Sequence, residues 1–214
     1  MDQTEGVIKY KLDYTIAGPL TENLQNLNCW RSLLYGLGGI GQEETRYEGY
    51  GFGNLSQRCL LEPSHFIISA TQTGHFPELS RDHYVCVEQC DVNQNYVKAS
   101  GTLKPSSEAL THSMFYQLDS SVNCVIHVHL PELWQFGLAH DYPSTDESVE
   151  YGTQAMATEI SRLYSMGEFS KGRVLIMKGH QDGVIFFAEN ADRAGLEFVK
   201  FYSTVKNHAL VNLA

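Results

Sequence analysis

Cysteine is scarce and odd in number. The five residues, Cys29, Cys59, Cys86, Cys90 and Cys124, include no C-x-x-C pair, which argues against a secreted disulfide framework and against a cysteine-rich zinc module. Positive charge is also in short supply. Lys and Arg total 15 against 25 Asp and Glu, a net charge of −10. Such a surface repels nucleic-acid phosphates and anionic lipid, so neither nucleic acid nor membrane is expected as a partner. A local cluster of donors can still hold a small anion. No apolar run approaches the ~20 residues of a membrane span. The opening stretch MDQTEGVIKYKLDY carries charge where a signal peptide needs an apolar core, and a cytoplasmic location is expected. Repeats, long linkers and low-complexity tracts are missing, and so is the G-x-S-x-G elbow of a serine hydrolase. What remains is 214 residues, 43% of them apolar. That suffices for one sizeable core, and a single domain over residues 1–214 is expected.

The elements alternate. Residues 20–37 read as a helix with Leu24, Leu27, Leu34 and Leu37 on one stripe. Short strands are expected around 66–69, 84–87 and 123–129, and helices over 105–118 and 152–164. Residues 173–178 and 184–188 read as two strands joined through Gly179-His180-Gln181-Asp182-Gly183, where Asp-Gly signals a hairpin turn. Asn190 is a plausible N-cap for a last helix striped by Ala194, Phe198, Val199, Tyr202 and Val205. Strands that come first in pairs and then between helices imply a mixed sheet covered by helices.

The strongest local signal is Cys124-Val-Ile-His127-Val-His129. Side chains alternate along a strand, so the two imidazoles share a face, at Cα positions ~7 Å apart, while Ile126 and Val128 pack on the other. They are either two hydrogen-bonded core histidines or two ligands converging on one ion. His180, among small residues in a tight loop, is either an exposed turn histidine or a third ligand. Pro105-Ser106-Ser107-Glu108 opens a helix. There Glu108 is either a first-turn carboxylate favoured by the helix dipole or a metal ligand and proton carrier beside an anion site. Gly51-Phe52-Gly53-Asn54-Leu55-Ser56 and Thr71-Gln72-Thr73-Gly74 are further loops able to cradle phosphate through backbone N–H groups. Gly36-Leu37-Gly38-Gly39-Ile40-Gly41 satisfies G-x-G-x-x-G, but a helix precedes it and a polar run follows, the reverse of a dinucleotide site.

Taken in chain order, Gly53-Asn54-Leu55-Ser56, Thr73-Gly74, Pro105-Ser106-Ser107-Glu108, His127-Val128-His129 and His180 resemble the motifs of the class II aldolase/adducin family, nearest its fuculose-phosphate aldolase-like branch, over nearly the whole chain. The resemblance implies a three-layer α/β/α fold around a mixed, mostly antiparallel sheet. It implies one Zn²⁺, or another divalent transition metal, per chain, held by residues matching His127, His129 and His180. Glu108 matches a glutamate that ligates the resting metal in some members and acts as acid/base in the aldolases. Asn54, Thr73, Gly74, Ser106 and Ser107 match substrate phosphate-binding positions. The implied activity is cleavage of a phosphorylated ketose to a triose phosphate and an aldehyde through a metal-stabilised enediolate, in a homotetramer with sites near subunit interfaces. Epimerases and dehydratases of sugar phosphates share the scaffold, as do non-catalytic adducin-like interaction modules. Two departures stand out. The family's His-Gly is here His180-Gln181-Asp182-Gly183, which either moves the imidazole or brings Asp182 to the metal. Gln72 replaces the proline common in the threonine loop. Tyr142 and Tyr151 are candidates for a tyrosine supplied across a subunit interface.

Overall fold

The computed structural model describes residues 6–170 and 172–211; residues 1–5, part of the opening stretch read above, lie outside them. The strands are β1 (Lys11–Ile16), β2 (Gly41–Gln42), β3 (Gly51–Phe52), β4 (Asn54–Arg58), β5 (Phe66–Ser69), β6 (Tyr84–Asp91), β7 (Tyr96–Gly101), β8 (Cys124–His129), β9 (Val174–Ile176) and β10 (Gly183–Ala188). The helices are α1 (Gln25–Gly36), α2 (Ala109–Leu118), α3 (Pro131–Ala139), α4 (Gln154–Ser165) and α5 (Ala191–Val211). Eight strands form one sheet in the order β1-β7-β6-β5-β4-β8-β10-β9, and β2 pairs with β3 separately. Within the large sheet β1 runs parallel to β7 and the other pairs are antiparallel.

Both faces are covered, giving the three-layer α/β/α arrangement. On one face Leu110, Phe115, Met156 and Ile160 of α2 and α4 pack on Ile68, Val85, Val125, Ile185 and Phe187. On the other, Leu27 and Leu34 of α1, Leu133 of α3 and Phe198 and Phe201 of α5 pack on Leu55, Ile126, Val128, Val184 and Phe186. The strand period of two sorts the residues. Ile126 and Val128 face α1, α3 and α5, so His127 and His129 face the α2/α4 layer. Among the described residues no helix is long and apolar enough to cross a membrane.

Several element boundaries differ from the sequence reading. α1 begins after Asn23, whose Oδ1 accepts the Gln25 N–H. α2 begins at Ala109, because Pro105 bridges Ala70 in extended pairing and the Ser106 hydroxyl accepts the Glu108 N–H. Glu108 is thus the residue preceding the helix. On α5 the buried stripe runs Ala194, Phe198, Phe201 and Val205, with Val199 42% exposed. The glycine run 36–41 is structural: the Gly39 carbonyl accepts the His129 N–H, fixing the end of β8.

Candidate metal centre and anion pocket

Register brings the three histidines together. In the β8/β10 pairing His127 lies opposite Ile185 and His129 opposite Gly183. The turn before β10 closes with the Gly183 N–H bonded to the His180 carbonyl, and Asp182 takes the left-handed conformation within it. This returns His180 over β8. One ligand atom from each of His127, His129 and His180 lies within 4.8 Å of the others, and all three side chains are buried. A Cβ on Gly183 would stand 2.9 Å from His180 Cδ2 and 3.2 Å from His127 Nε2. Only glycine leaves the imidazoles room to converge there.

Glu108 joins them from the start of α2. Its Oε1 lies 3.6 Å from His180 Nε2, and it is 0% exposed. Burial pushes its carboxyl up to about 7, opposed by the Thr111 hydroxyl and the Lys9 charge. Burial likewise holds His127 down to about 3. His129 and His180 lie well below the usual imidazole value, by burial first and then by neighbouring charge. His112, one turn along α2 and bonded to the Ser56 hydroxyl at 2.7 Å, is depressed by burial too. The histidines are therefore neutral at pH 7, the form that ligates. His127 Nε2 is buried and has no hydrogen-bond partner among the described residues, so none of them competes with an ion for its lone pair. Three imidazoles and a carboxylate suit a divalent transition metal with Zn–N near ~2.1 Å.

These shifts carry a sign. Below ~pH 6.5 an unfolded chain protonates His112, His127, His129 and His180, whereas the folded chain keeps them neutral, so stability falls as pH falls. Glu108 works the other way: from about 7 downward the folded carboxyl takes up its proton before the unfolded one does. Four imidazoles outweigh one carboxyl. Metal-free protein should lose stability between pH 6.5 and 5, by about 1.4 kcal/mol per pH unit for each net proton, read as a falling melting temperature. A flat profile would contradict this balance.

A second cluster adjoins the first. Asn54, Thr73, Gly74, Ser106 and Ser107 line one small pocket together with Gly51, Gly53 and Gln72. Every residue expected at an anion is therefore at one place. Gly74 has no room for a side chain, since its Cβ would sit 2.1 Å from the Gly41 carbonyl. Arg31 of α1 holds the loop by donating to the Thr73 and Pro77 carbonyls at 3.2 and 2.7 Å. Gln72, left-handed at φ 57°, accepts the Gly51 N–H on Oε1 at 3.1 Å.

The departure after His180 leaves the imidazole in the cluster. Asp182 turns away from it: its Oδ2 accepts the Tyr47 hydroxyl at 2.7 Å, and the Tyr47 ring meets His129 edge-on at 4.8 Å. Arg46 donates to both the Tyr47 hydroxyl and the His129 carbonyl. Tyr151 is fully buried with its ring 4.6 Å from His180 in the same chain, and Lys9 Nζ, paired with Glu150, sits 3.9 Å over that ring. Tyr142 instead packs on Phe201 at 4.6 Å, outside the cluster. Lys9, Arg46 and Tyr47 escape the sequence reading. No local motif marks them, and only long-range packing brings them near the site.

Comparison with known proteins gives a family and a fold. Residues 43–206 match the class II aldolase and adducin N-terminal domain model. The chain belongs to that family. Two L-fuculose 1-phosphate aldolase structures share the fold. One is 19% identical with a TM-score of 0.66, covering 90% of this chain and 87% of that one. The other, from Thermus thermophilus, is 14% identical with a TM-score of 0.57, covering 88% and 91%. At those identities the likeness is one of fold. A methylthioribulose-1-phosphate dehydratase from Leptospira biflexa serovar Patoc is 34% identical over 96 residues, 44% of each chain. The match thus spans less than half of that relative's length.

Proposed function

We propose that this class II aldolase-family chain is a divalent-metal-dependent lyase that cleaves a phosphorylated ketose to a triose phosphate and an aldehyde. One observation carries the reading: a buried carboxylate, three convergent imidazoles and a donor-lined pocket are contiguous, with Asn54 touching both halves. An adducin-like interaction module has no need of four buried converging groups, whose desolvation is costly unless a ligand offsets it.

His127, His129, His180 and Glu108 would hold one ion per chain, and the donor set favours zinc. When bound, the ion supplies Lewis-acid stabilisation of negative charge developing on substrate oxygen. The other roles fall to the chain itself. The Ser106 hydroxyl oxygen accepts the Glu108 N–H, leaving its proton for a phosphate oxygen. The Ser107 hydroxyl, the Asn54 amide and the Thr73 and Gly74 segment complete the anion site. Anchoring the phosphate there fixes the distance from the reacting carbons to Glu108. In retro-aldol cleavage the carbon–carbon bond breaks, the hydroxyl on the carbon that becomes the aldehyde gives up its proton, and the other carbon keeps the electron pair. Glu108, displaced from the ion and left in a fully buried setting that favours its neutral form, would deliver a proton to that carbon, replacing the one the hydroxyl gives up. Complete burial of these side chains keeps bulk water from competing for it. A homotetramer with sites near subunit interfaces, a cytoplasmic setting and a single domain over residues 1–214 complete the reading.

The partial match to a dehydratase favours a second reading on the same residues, in which loss of water replaces carbon–carbon cleavage. Incubating metal-loaded protein with a panel of ketose phosphates and identifying products separates the two. A triose phosphate plus an aldehyde is expected. A dehydrated ketone, or an epimer, would overturn cleavage in favour of that chemistry.

A further inference from the structure

We infer that the Asn54 carboxamide is a positioning residue that joins the metal-binding cluster to the anion pocket, its oxygen fixing the tautomer of His127 and its NH₂ turned toward the anion. The phosphate half of this inference rests on the function proposed above.

The β4/β8 register sets Asn54 directly opposite His127. Their side chains meet at 3.4 Å, from Asn54 Nδ2 to His127 Nδ1. Asn54 is 8% exposed, and its Oδ1 is buried with no hydrogen-bond partner among the described residues. Asn54 also lines the anion pocket. An unpaired buried carbonyl costs free energy, and beside a bound anion it would add repulsion.

The other ring nitrogen of His127 resolves this. Nε2 is buried and has no partner among the described residues, and it lies on the His180 side of the ring, since a Cβ on Gly183 would touch both it and His180 Cδ2. A neutral imidazole that offers its Nε2 lone pair to a metal carries its proton on Nδ1. That Nδ1–H needs an acceptor, and an amide NH₂ is not one. Turning the Asn54 carboxamide over exchanges two nearly isosteric atoms, O and N, whose assignment follows from the hydrogen-bond network. Oδ1 then accepts the Nδ1–H. Nδ2 moves to where the orphaned oxygen stood, and its donors join the hydroxyls of Ser106 and Ser107. One rotation satisfies the imidazole, removes the orphan and turns a mismatched group of the pocket into an anion donor.

The consequence is linkage. An ion on Nε2 demands Nδ1–H, which holds the amide in its anion-binding orientation, so zinc and phosphate should tighten each other's binding by the same factor. The probes are zinc, by chelator competition at micromolar metal, and inorganic phosphate, by calorimetry. In wild-type protein phosphate is expected to tighten zinc several-fold. In Asn54→Asp the carboxylate still accepts from His127 but donates nothing. Zinc affinity should stay within a few-fold of wild type, whereas phosphate affinity falls at least ~10-fold and the linkage vanishes. In Asn54→Leu both should fall, zinc by about 10–100-fold. Wild-type protein that binds both probes without linkage overturns the inference, with no variant needed. So does an Asp variant that keeps phosphate, or one that loses zinc as the Leu variant does. Wild-type protein that takes up zinc but no phosphate overturns the proposed function, and this inference with it.

Discussion

Replacing His127 or His129 by Ala is expected to leave the purified chain without metal, against about one divalent ion per wild-type chain. Changing a group that merely supports a metal ligand typically costs 10–100-fold in affinity, so loss of a ligand from a three-histidine cluster should exceed ~100-fold. The measurements are metal content after dialysis and chelator competition. Stability supplies an independent readout. At metal concentrations ~100 times Kd, wild-type protein should gain about 2.7 kcal/mol against unfolding, and the variants should gain nothing. Without metal the variants are themselves expected to lose stability, since each empties a fully buried site, so the comparison is each protein's own gain on adding metal. Full metal content in His127→Ala would refute the site.

Glu108→Gln should separate binding from chemistry. The amide keeps the size of the side chain and loses the transferable proton. Metal is expected to remain on the three histidines and phosphate to bind as before, while turnover falls by about 10²–10⁴, the usual worth of a positioned general acid–base. Exchange of substrate C–H with solvent deuterium should be lost to the same degree. Wild-type turnover in this variant would remove Glu108 from proton transfer. A parallel loss of metal would make it chiefly a ligand.

Much of the centre is legible because it is local. In Cys124–His129 the period of two alone puts both imidazoles on one face and Ile126 and Val128 on the other, and the sheet keeps that arrangement. The Pro-Ser-Ser-Glu run carries its carboxylate beside two hydroxyls, although a bridge to Ala70 displaces the helix start to Ala109. Other elements give weaker signals. β1 lies at the sheet edge and is exposed or half-buried along its length, so no apolar face marks it, and in β7 the buried Val97, Ala99 and Gly101 alternate but are too small to give a strong apolar signal. α3 spans only Pro131–Ala139, too short for a helical period to stand out. On α5 the helical period holds but the expected stripe is rotated: Phe201, not Val199, reaches the sheet.

Fold class, family and the chemical identities of the groups at the site follow from the order of residues, because alternation, caps and glycine turns are set within a few positions. Which groups meet is decided by tertiary packing. The register of β8 against β10 and β4 brings His180 over His127 and sets Asn54 against it. The turn at Asp182 sends that carboxylate to Tyr47 and leaves His180 with the other imidazoles. The N-terminal segment brings Lys9 to Tyr151. Each of these contacts joins residues far apart in the chain, so it depends on how whole strands pair and layers pack, which no local spacing encodes.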